Sequence, residues 1–535
     1  MWISRYVFYA TTVVLTLAFV ALGTWNPDFY WGVLVFGPLA ALGTWDILQS
    51  QHSVLRNYPV LAHLRFVFEG LRPELRQYFF ESNLSGAPFN REQRSLVYQR
   101  AKNTVDKLPF GTELDIYSRD YAWLNHSAAP TPLSKDSFRI DIGGPQCSKP
   151  YSASVYSISA MSFGALSANA ILALNKGASM GGFAHDTGEG GLSRYHRENG
   201  GDLIWEIGSG YFGCRNEDGS FNAETFAAQA TIDQVKMVEI KLSQGAKPGH
   251  GGVLPAAKVT PEIATARHVP VGVDCVSPSA HSAFSTPVEM MEFIAKLREL
   301  CGGKPVGFKL CVGHRWEFLA MCKAMRETGI HPDFIVVDGG EGGTGAAPVE
   351  FSNHVGTPLR AGLTFVQNAL VGANLREHIK LGASGKIISA FDIIGTMALG
   401  ADWCNSARGF MFAVGCIQSR SCHTNRCPVG VATQDRQRQR ALVVPDKAER
   451  VYQFHRNTVH ALSEIVAAAG LDHPSEIGPR HFFVRFGGSA TLSADRGGVW
   501  LQPGSLLDGS APEPYRNYWE SADATSFRAT QLSVQ

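Results

Sequence analysis

Three cysteines late in the chain, Cys416, Cys422 and Cys427, stand in the spacing C-x5-C-x4-C and are followed at once by Pro428. Thiolates gathered by one short loop suit soft iron, and three of them fit a three-iron–four-sulfur cluster better than zinc, which takes four ligands. Such a cluster carries single electrons, so the spacing points to redox chemistry. The other seven cysteines, at 147, 214, 275, 301, 311, 322 and 404, have no ligand-like spacing and read as small core residues. No secretory disulfide framework is visible, which fits a reducing compartment. Glycine numbers 55 and often falls in pairs, as at 190–191, 251–252, 339–340 and 342–343. Loops of this kind let backbone approach a phosphate or a ring closely.

From about 150 to 430 short apolar runs alternate with helical ones. Tyr151–Ile158 precedes Leu166–Ala178, Val271–Val276 precedes Pro287–Leu300, and Val306–Leu310 precedes Glu317–Thr328. Val238–Lys241, Phe334–Val337, Lys386–Ser389 (before Ile393–Leu399) and Trp403–Ser406 supply further strands. This alternation means parallel strands with crossover helices, and so many units favour an α/β fold of the closed (β/α)8 TIM type over an open doubly wound sheet. Functional residues then belong at the C-terminal ends of strands. A helix over Ala448–Ala469 follows.

Net charge is +1 with 18% charged residues, which leaves no electrostatic case for nucleic acid. Tyr6 to Trp25 form twenty residues without a charge, and a second uncharged run covers Phe29 to Trp45. Both are read as a two-helix transmembrane hairpin, the second at the short end of the range, with aromatic residues at the ends. A cleaved signal peptide is disfavoured by the single basic residue Arg5 and by the second run. Arg56, Arg65, Arg72 and Arg76 follow the hairpin, so the positive-inside rule puts both its ends and the rest of the chain on the cytoplasmic side of a cell membrane. The expected organisation is a hairpin over 1–49, a helical extension over 50–130 (helices near Pro73–Glu81 and Arg91–Lys107), the barrel over 131–480 and a tail over 481–535.

Taken together, LPFGTELDIY at 108–117, ISAMSFGALS at 158–167, TGEGG at 187–191, EIKLSQGAKPGHGG at 239–252, DGGEGGTGAAP at 338–348, the cysteine loop at 415–435 and FHRNTVHAL at 454–462 resemble the FMN-binding synthase domain of glutamate synthase. The resemblance covers roughly 105 to 480. It implies an oxidoreductase acting on CH–NH2 donors, with FMN and an iron–sulfur cluster as cofactors. The reaction implied is reductive amination of 2-oxoglutarate or a related 2-oxo acid with ammonia. Full-length family members carry a glutaminase domain where this chain has its hairpin, so ammonia is expected from solution or a partner. Ferredoxin, quinol or a separate reductase subunit is the expected electron donor, since no G-x-G-x-x-G opens a helix after a strand. Oxidation of an amino acid, or an electron-transfer subunit without its own substrate, are the competing readings.

By the same resemblance Met161, Ser162, Gln244 and Lys247 contact the flavin, with Lys309 as a second candidate beside it. Asp338, Gly339, Gly340, Gly342, Gly343, Thr344 and Gly345 are expected to offer free N–H groups to the phosphate, with Asn405, Ser406 and Ala407 completing the cradle. Lys241 and Arg267 match positions holding substrate carboxylates, and Glu189 an acidic residue suited to proton transfer. Val253 stands where the family has a substrate-contacting glutamine, and His250 where it has a glutamate. His185, His314 and His423 read as polar loop residues.

Overall fold

The computed structural model describes residues 5–134, 138–486 and 490–530; the parts of the expected hairpin, barrel and tail at 1–4, 135–137, 487–489 and 531–535 lie outside the described residues. The chain divides into two units, Met1–Arg91 and Glu92–Gln535.

In the first unit the apolar runs fold as two helices, Val7–Gly23 and Tyr30–Leu48, joined by a turn that Asn26 caps through the Asp28 N–H. Small residues admit rings from the facing helix: Gly32 lies against Phe19 and Gly43 against Tyr9, while Phe19 stacks on Phe36 at 5.7 Å. Among the described residues, Pro27–Leu48 is long and apolar enough to cross a membrane, whereas Val7–Gly23 is apolar but shorter. The order of lengths expected from the uncharged runs is therefore reversed. The second helix runs past Trp45 because Asp46, fully buried, has work at its end: its carboxylate accepts the Val60 N–H at 2.8 Å and pairs with His63 Nε2 at 2.8 Å. That amide bond holds Val60 at φ 68°, a conformation a β-branched residue rarely adopts. The helix expected near Pro73–Glu81 starts earlier, at Ala62, and widens into a π turn over Arg76–Phe80.

The second unit is built on a closed parallel barrel of eight strands, β1 Tyr156–Ile158, β2 His185–Asp186, β3 Leu203–Ile207, β4 Val235–Lys241, β5 Val306–Leu310, β6 Phe334–Asp338, β7 Lys380–Ser384 and β8 Trp403–Ser406. Each is followed by helix, among them Ala168–Gly181, Pro287–Leu300, Arg315–Thr328, Leu359–Gly372 and Ala390–Ala398. Local chemistry starts these helices: Ser167 caps the first, and Thr286 with Glu289 and Ser389 with Asp392 form capping boxes. The helix after the barrel, Val444–Ala468, packs on Ala168–Gly181, where a Cβ at Gly177 would strike Val451.

Three strand expectations are corrected. Tyr151–Ile158 is not one strand: Tyr151–Ser154 pairs antiparallel with Arg139–Ile142, and only Tyr156–Ile158 joins the barrel. Val271–Val276 lies outside the barrel, in the long excursion between β4 and β5, where Cys275–Val276 pairs with Val253–Leu254. Lys386–Ser389 is the capping segment of Ala390–Ala398, and the strand before it is β7. The expected helix Arg91–Lys107 ends at Ala101.

Period two along each strand sorts the barrel interior into layers. The lower layer is apolar: Ala184, Ile204, Met237, Phe334, Val336 and Trp403 pack against Ile142, Tyr151 and Ala153 of the antiparallel pair, which seals that end. Glycines face the large residues, Gly307 beside the Phe334 ring and Gly382 beside the Trp403 indole. One residue-pair further along, the inward positions turn to Asp186, Glu206, Glu239 and Lys309, all buried. The tail wraps the outside. Phe482–Arg485 pairs with Ala122–Leu124 and Thr491–Ser493, and Tyr515 stacks on Phe365 at 5.6 Å.

Candidate active site

The C-terminal strand ends and their loops bring Glu189, Lys241, Lys247, Arg267 and Ser277 together. Lys241 is the last residue of β4 and points inward; its Nζ lies 2.6 Å from Glu189 Oε2 and 3.6 Å from Glu206 Oε1. Glu189 sits on the loop after β2. Gly188 before it, at φ 63°, packs against the Met161–Ser162 backbone, where a Cβ would come within 2.7 Å of the Ser162 nitrogen. Burial alone would raise the Glu189 pKa, but the Lys241 ammonium, with Arg267 and Lys247 beyond it, outweighs that and holds it at about 2. Burial likewise opposes the charge on Lys241, and Glu189 and Glu206 more than compensate, so its pKa is raised.

Lys247 is buried and its Nζ donates to the Gly251 carbonyl at 2.9 Å; burial lowers its pKa, against the pull of Glu189. The segment it holds, Gly251-Gly252, lies so close to the site that a Cβ on Gly252 would collide with Glu189 Oε1. Gly252 donates its N–H to Ser277 Oγ at 2.7 Å, and that hydroxyl is 3.5 Å from Glu189 Oε2. Val253 follows in the two-residue strand that closes this wall. His250 Nδ1 is 2.8 Å from the Gly251 carbonyl and its ring meets Phe351 edge-on. Arg267 ends the helix Pro261–Arg267 and is buried, not solvated. Its Nη2 is 3.3 Å from both Ser162 Oγ and the Phe163 carbonyl, and its guanidinium lies over the Phe212 ring.

Lys309 stands deeper than the others, on β5, paired with Glu206 at 2.7 Å. Met161 is buried at the first strand's end, and Gln244 opens the turn closed by the Lys247 N–H. Asp338 ends β6 and is fully engaged, accepting from Ser384 Oγ and from the Gly245 N–H at 2.8 Å. Gly245 has no room for a side chain, since a Cβ would run into the Gly339 carbonyl.

The phosphate expectation is corrected in part. Gly339, Gly340 and Gly342 do not offer free amides; they donate to the carbonyls of Ser384, Thr357 and Gly339 at 2.8–2.9 Å. Gly343, Thr344 and Gly345 donate to no backbone carbonyl among the described residues. Arg408 lies against Gly343, where a Cβ would meet its Nη1 at 2.8 Å, and also donates to the Glu341 carbonyl at 2.7 Å. Lys386 follows β7 at φ 55°, and burial, then Arg408, lowers its pKa. Two cations after β7 and β8, beside open amides, fit a phosphate dianion at the place where such barrels bind one. Lys386 was missed because Lys386–Ser389 reads as strand, with Gly385-Lys386 as the available signal, and Arg408 stands one residue beyond the cradle expected at Asn405, Ser406 and Ala407. Asn405 and Ser406 are buried at the end of β8, with Asn405 Oδ1 accepting from Trp403 Nε1, and Ala407 precedes the helix Arg408–Ala413.

The cysteine loop abuts the same glycines: a Cβ on Gly345 would stand 3.1 Å from Cys422 Cβ. Gln418, Arg420 and Asn425 adopt left-handed backbone, which folds the loop back on itself, and the Gln418 N–H points at Cys416 Sγ at 3.4 Å. Lys258 Nζ donates to the Cys422 carbonyl at 2.8 Å and bears electrostatically on Cys422 and Cys427. Cys416, Cys422 and Cys427 thus share one loop and bear electrostatically on one another, with an amide aimed at the Cys416 sulfur. Of the seven remaining cysteines, six are buried and Cys147 is partly exposed, and all ten are free.

Two further residues went unread in the sequence. Ser277 carried no signal, and His281, whose Nε2 is 2.9 Å from the Lys241 carbonyl, is pushed down to about 4 by burial and so is neutral there. His185 is no loop residue: it lies on β2, fully buried, 5.3 Å from the His196 ring. His314 precedes the helix Arg315–Thr328 and stacks on Trp316, and His423 lies in the cysteine loop.

Residues 142–472 match the family model described as the conserved region in glutamate synthase. The chain is 38% identical to the glutamate synthase large subunit-like protein YerD of Bacillus subtilis, over 84% of this chain and 93% of that one. It is 35% identical to the archaeal-type glutamate synthase [NADPH] of Thermotoga neapolitana over 57% of each, and 33% identical to the ferredoxin-dependent glutamate synthase of Pyropia yezoensis over 53% of this chain. It thus spans little more than half of the Thermotoga protein and 17% of the Pyropia one.

Proposed function

The chain belongs to the glutamate synthase family, and from that premise we propose that it is an oxidoreductase of CH–NH2 chemistry that makes an amino acid from a 2-oxo acid and ammonia. Bound FMN supplies hydride chemistry and an iron–sulfur cluster supplies one-electron delivery. Met161, Ser162, Gln244, Lys386, Arg408 and the Gly343–Gly345 amides would hold the first, and Cys416, Cys422 and Cys427 the second.

The observation that carries the reading is the Glu189–Lys241 pair at 2.6 Å, flanked by Lys247 and Arg267 and walled by Gly252 and Ser277. Lys241 and Lys247 supply positive charge for a substrate carboxylate, and Lys247 exchanges the Gly251 carbonyl for a stronger acceptor. Arg267 acts from behind, fixing the Ser162–Phe163 backbone. Glu189, held as a carboxylate, stabilises the positive charge of an iminium nitrogen, which is the form that accepts hydride. Val253, apolar where the family resemblance expects an amide, favours a 2-oxo acid with an apolar side chain over 2-oxoglutarate. Ferredoxin, quinol or a separate reductase subunit delivers the electrons, and the apolar helices tether the enzyme to the cell membrane.

The test is anaerobic: protein purified in detergent, reduced with dithionite, then given ammonium with 2-oxoglutarate or with apolar 2-oxo acids. Reoxidation that needs both additions and yields the matching amino acid is expected, fastest with the apolar acids. A protein that stays reduced with every pair refutes the reading.

A further inference from the structure

Below the substrate site lies a charged layer that the chemistry above leaves unused. Asp186 on β2, Glu206 on β3 and Glu239 on β4 point into the barrel with candidate ligand oxygens all within 4.8 Å of one another. The apolar layer beneath closes them off from that end. Lys309 from β5 lies 2.7 Å from Glu206 Oε2 and 3.8 Å from Glu239 Oε1, and its ammonium takes the place a metal cation would have. Lys241 lies 3.6 Å from Glu206 Oε1 and is shared with Glu189. Four carboxyl groups thus face two ammonium groups. Asp338, the other acid near Lys309, is satisfied as a carboxylate by Ser384 and the Gly245 N–H. Asp186 accepts the Gly188 N–H at 2.9 Å. Glu239 is fully buried, and neither of its oxygens has a hydrogen-bond partner. A carboxylate left so would have only the Lys309 ammonium at 3.8 Å to offset its lost solvation, a larger cost than a neutral carboxylic acid bears.

We propose that Glu239 holds a proton inside the barrel and delivers it, through Lys309, Glu206, Lys241 and Glu189, to the amine nitrogen formed when the imine is reduced. This rests on the reading that the site reduces an imine. Lys241 hands a proton to Glu189 and recovers one from Glu206, which takes one from Lys309, which takes the Glu239 proton. The net change is one proton lost by the Glu239 carboxyl and one gained by the product's amine nitrogen, to which Glu189 passes it, so Glu189 returns to carboxylate and both lysines remain ammonium. Glu189, whose side chain is 17% exposed, returns the store to solvent equilibrium once product leaves. Burial, then Asp186, raises the Glu239 pKa well above the carboxylate range, against the pull of Lys309; Asp186 itself is pushed up to about 7, by burial and then by Glu206.

Infrared spectroscopy of the purified holoprotein tests both halves. At pH 7 the wild type minus Glu239→Gln difference spectrum is expected to contain a carboxylic-acid C=O band that moves in D2O. Its absence overturns the store. Gln mimics a protonated glutamate in shape and charge, so this variant should keep the wild-type melting temperature; a large drop would mean an ionised Glu239 and overturns the proposal equally. For the relay, hydrogen–deuterium exchange of that band should slow about 100-fold when the chain is cut by Lys241→Met, and likewise by Glu206→Gln. Exchange at the wild-type rate in either folded variant overturns the relay. Turnover enters neither arm, so a reduced protein that ignores every 2-oxo acid with ammonium would sink the functional reading alone.

Discussion

At the scale of single residues, the charge state of Glu189 decides what the site can do, and it depends on one neighbour. Its folded pKa of about 2 lies below the ordinary 4.5, so it contributes stability above 4.5 that is lost as pH falls toward 2, and it stays a carboxylate across the neutral range. Replacing Lys241 by Met removes the main cation and leaves burial, which acts in the opposite direction. The pH–rate profile of wild type should therefore show no acid limb from Glu189 above pH 4.5, while Lys241→Met should show one and turn over about 100-fold more slowly. An unchanged profile would mean that Lys241 does not set the charge. Lys386 has a different task. Lys386→Met should weaken FMN binding about tenfold, the worth of one charge-assisted contact, as read by flavin fluorescence on dilution, with the fold intact. Cys422→Ser should lose iron and sulfide on analysis while retaining flavin. These residues were unequally legible. Glu189, Lys241 and Lys247 stood in motifs dense enough to be placed by resemblance. Lys386 and Ser277 sit in short loops whose neighbours, Ile387-Ile388 and Cys275–Val276, look more like strand than site.

Among the elements, legibility followed apolar content and length only in part, since β3, LIWEI, is apolar and buried throughout yet went unread. β5 and β8 were read at their true bounds because each is flanked by helix and buried throughout. β2 was missed because it is two polar residues, His185–Asp186, and β7 because KLGAS has little of the β-branched character that marks a strand. Val271–Val276 has that character, yet Val271, Val273 and Val276 are exposed, on an excursion that walls the substrate site. Exposure is invisible to composition, so the sequence argument counted enough strands for a barrel while misplacing three. What closes the lower rim was not legible at all. Asp333, buried before β6, accepts the Val306 N–H of β5 at 2.8 Å, the Gly144 N–H at 2.8 Å and Arg298 Nε at 3.0 Å. It thus ties two strands, a helix and the antiparallel pair at one carboxylate. Asp333→Ala takes the carboxylate from buried Arg298, whose Nε and two amides lose their acceptor while the Nη atoms keep Gln146 and His331, and should cost about 3–5 kcal/mol in denaturant unfolding. A loss under about 1 kcal/mol, the scale of an exposed pair, would show that water replaces it.

For the whole molecule the open question is where the enzyme works, and the first unit argues for a membrane on three grounds that differ in weight. Pro27–Leu48 has the length and composition of a crossing helix; Val7–Gly23, at 17 residues, sits at the lower limit. The two pack through glycines facing rings, as helices do where lipid gives no hydrophobic drive to associate. The weightiest is exposure. Val14, Leu17, Trp31, Leu34 and Val35 are all more than half exposed, an arrangement a water-soluble hairpin would have to cover. Asp46 marks the end of the apolar stretch, and by the positive-inside rule the arginines beyond it are expected to keep that end cytoplasmic in the membrane reading we propose. The full chain should therefore sediment with membranes and resist alkaline carbonate, and residues 50–535 should not. A cysteine placed at the turn by Asn26→Cys should react with an impermeant maleimide from outside intact cells, while Cys147, partly exposed in the second unit, should not. Full-length protein in the soluble fraction would remove the tether. Labelling of Cys147 from outside would invert the orientation, and with it the side from which an electron donor must come.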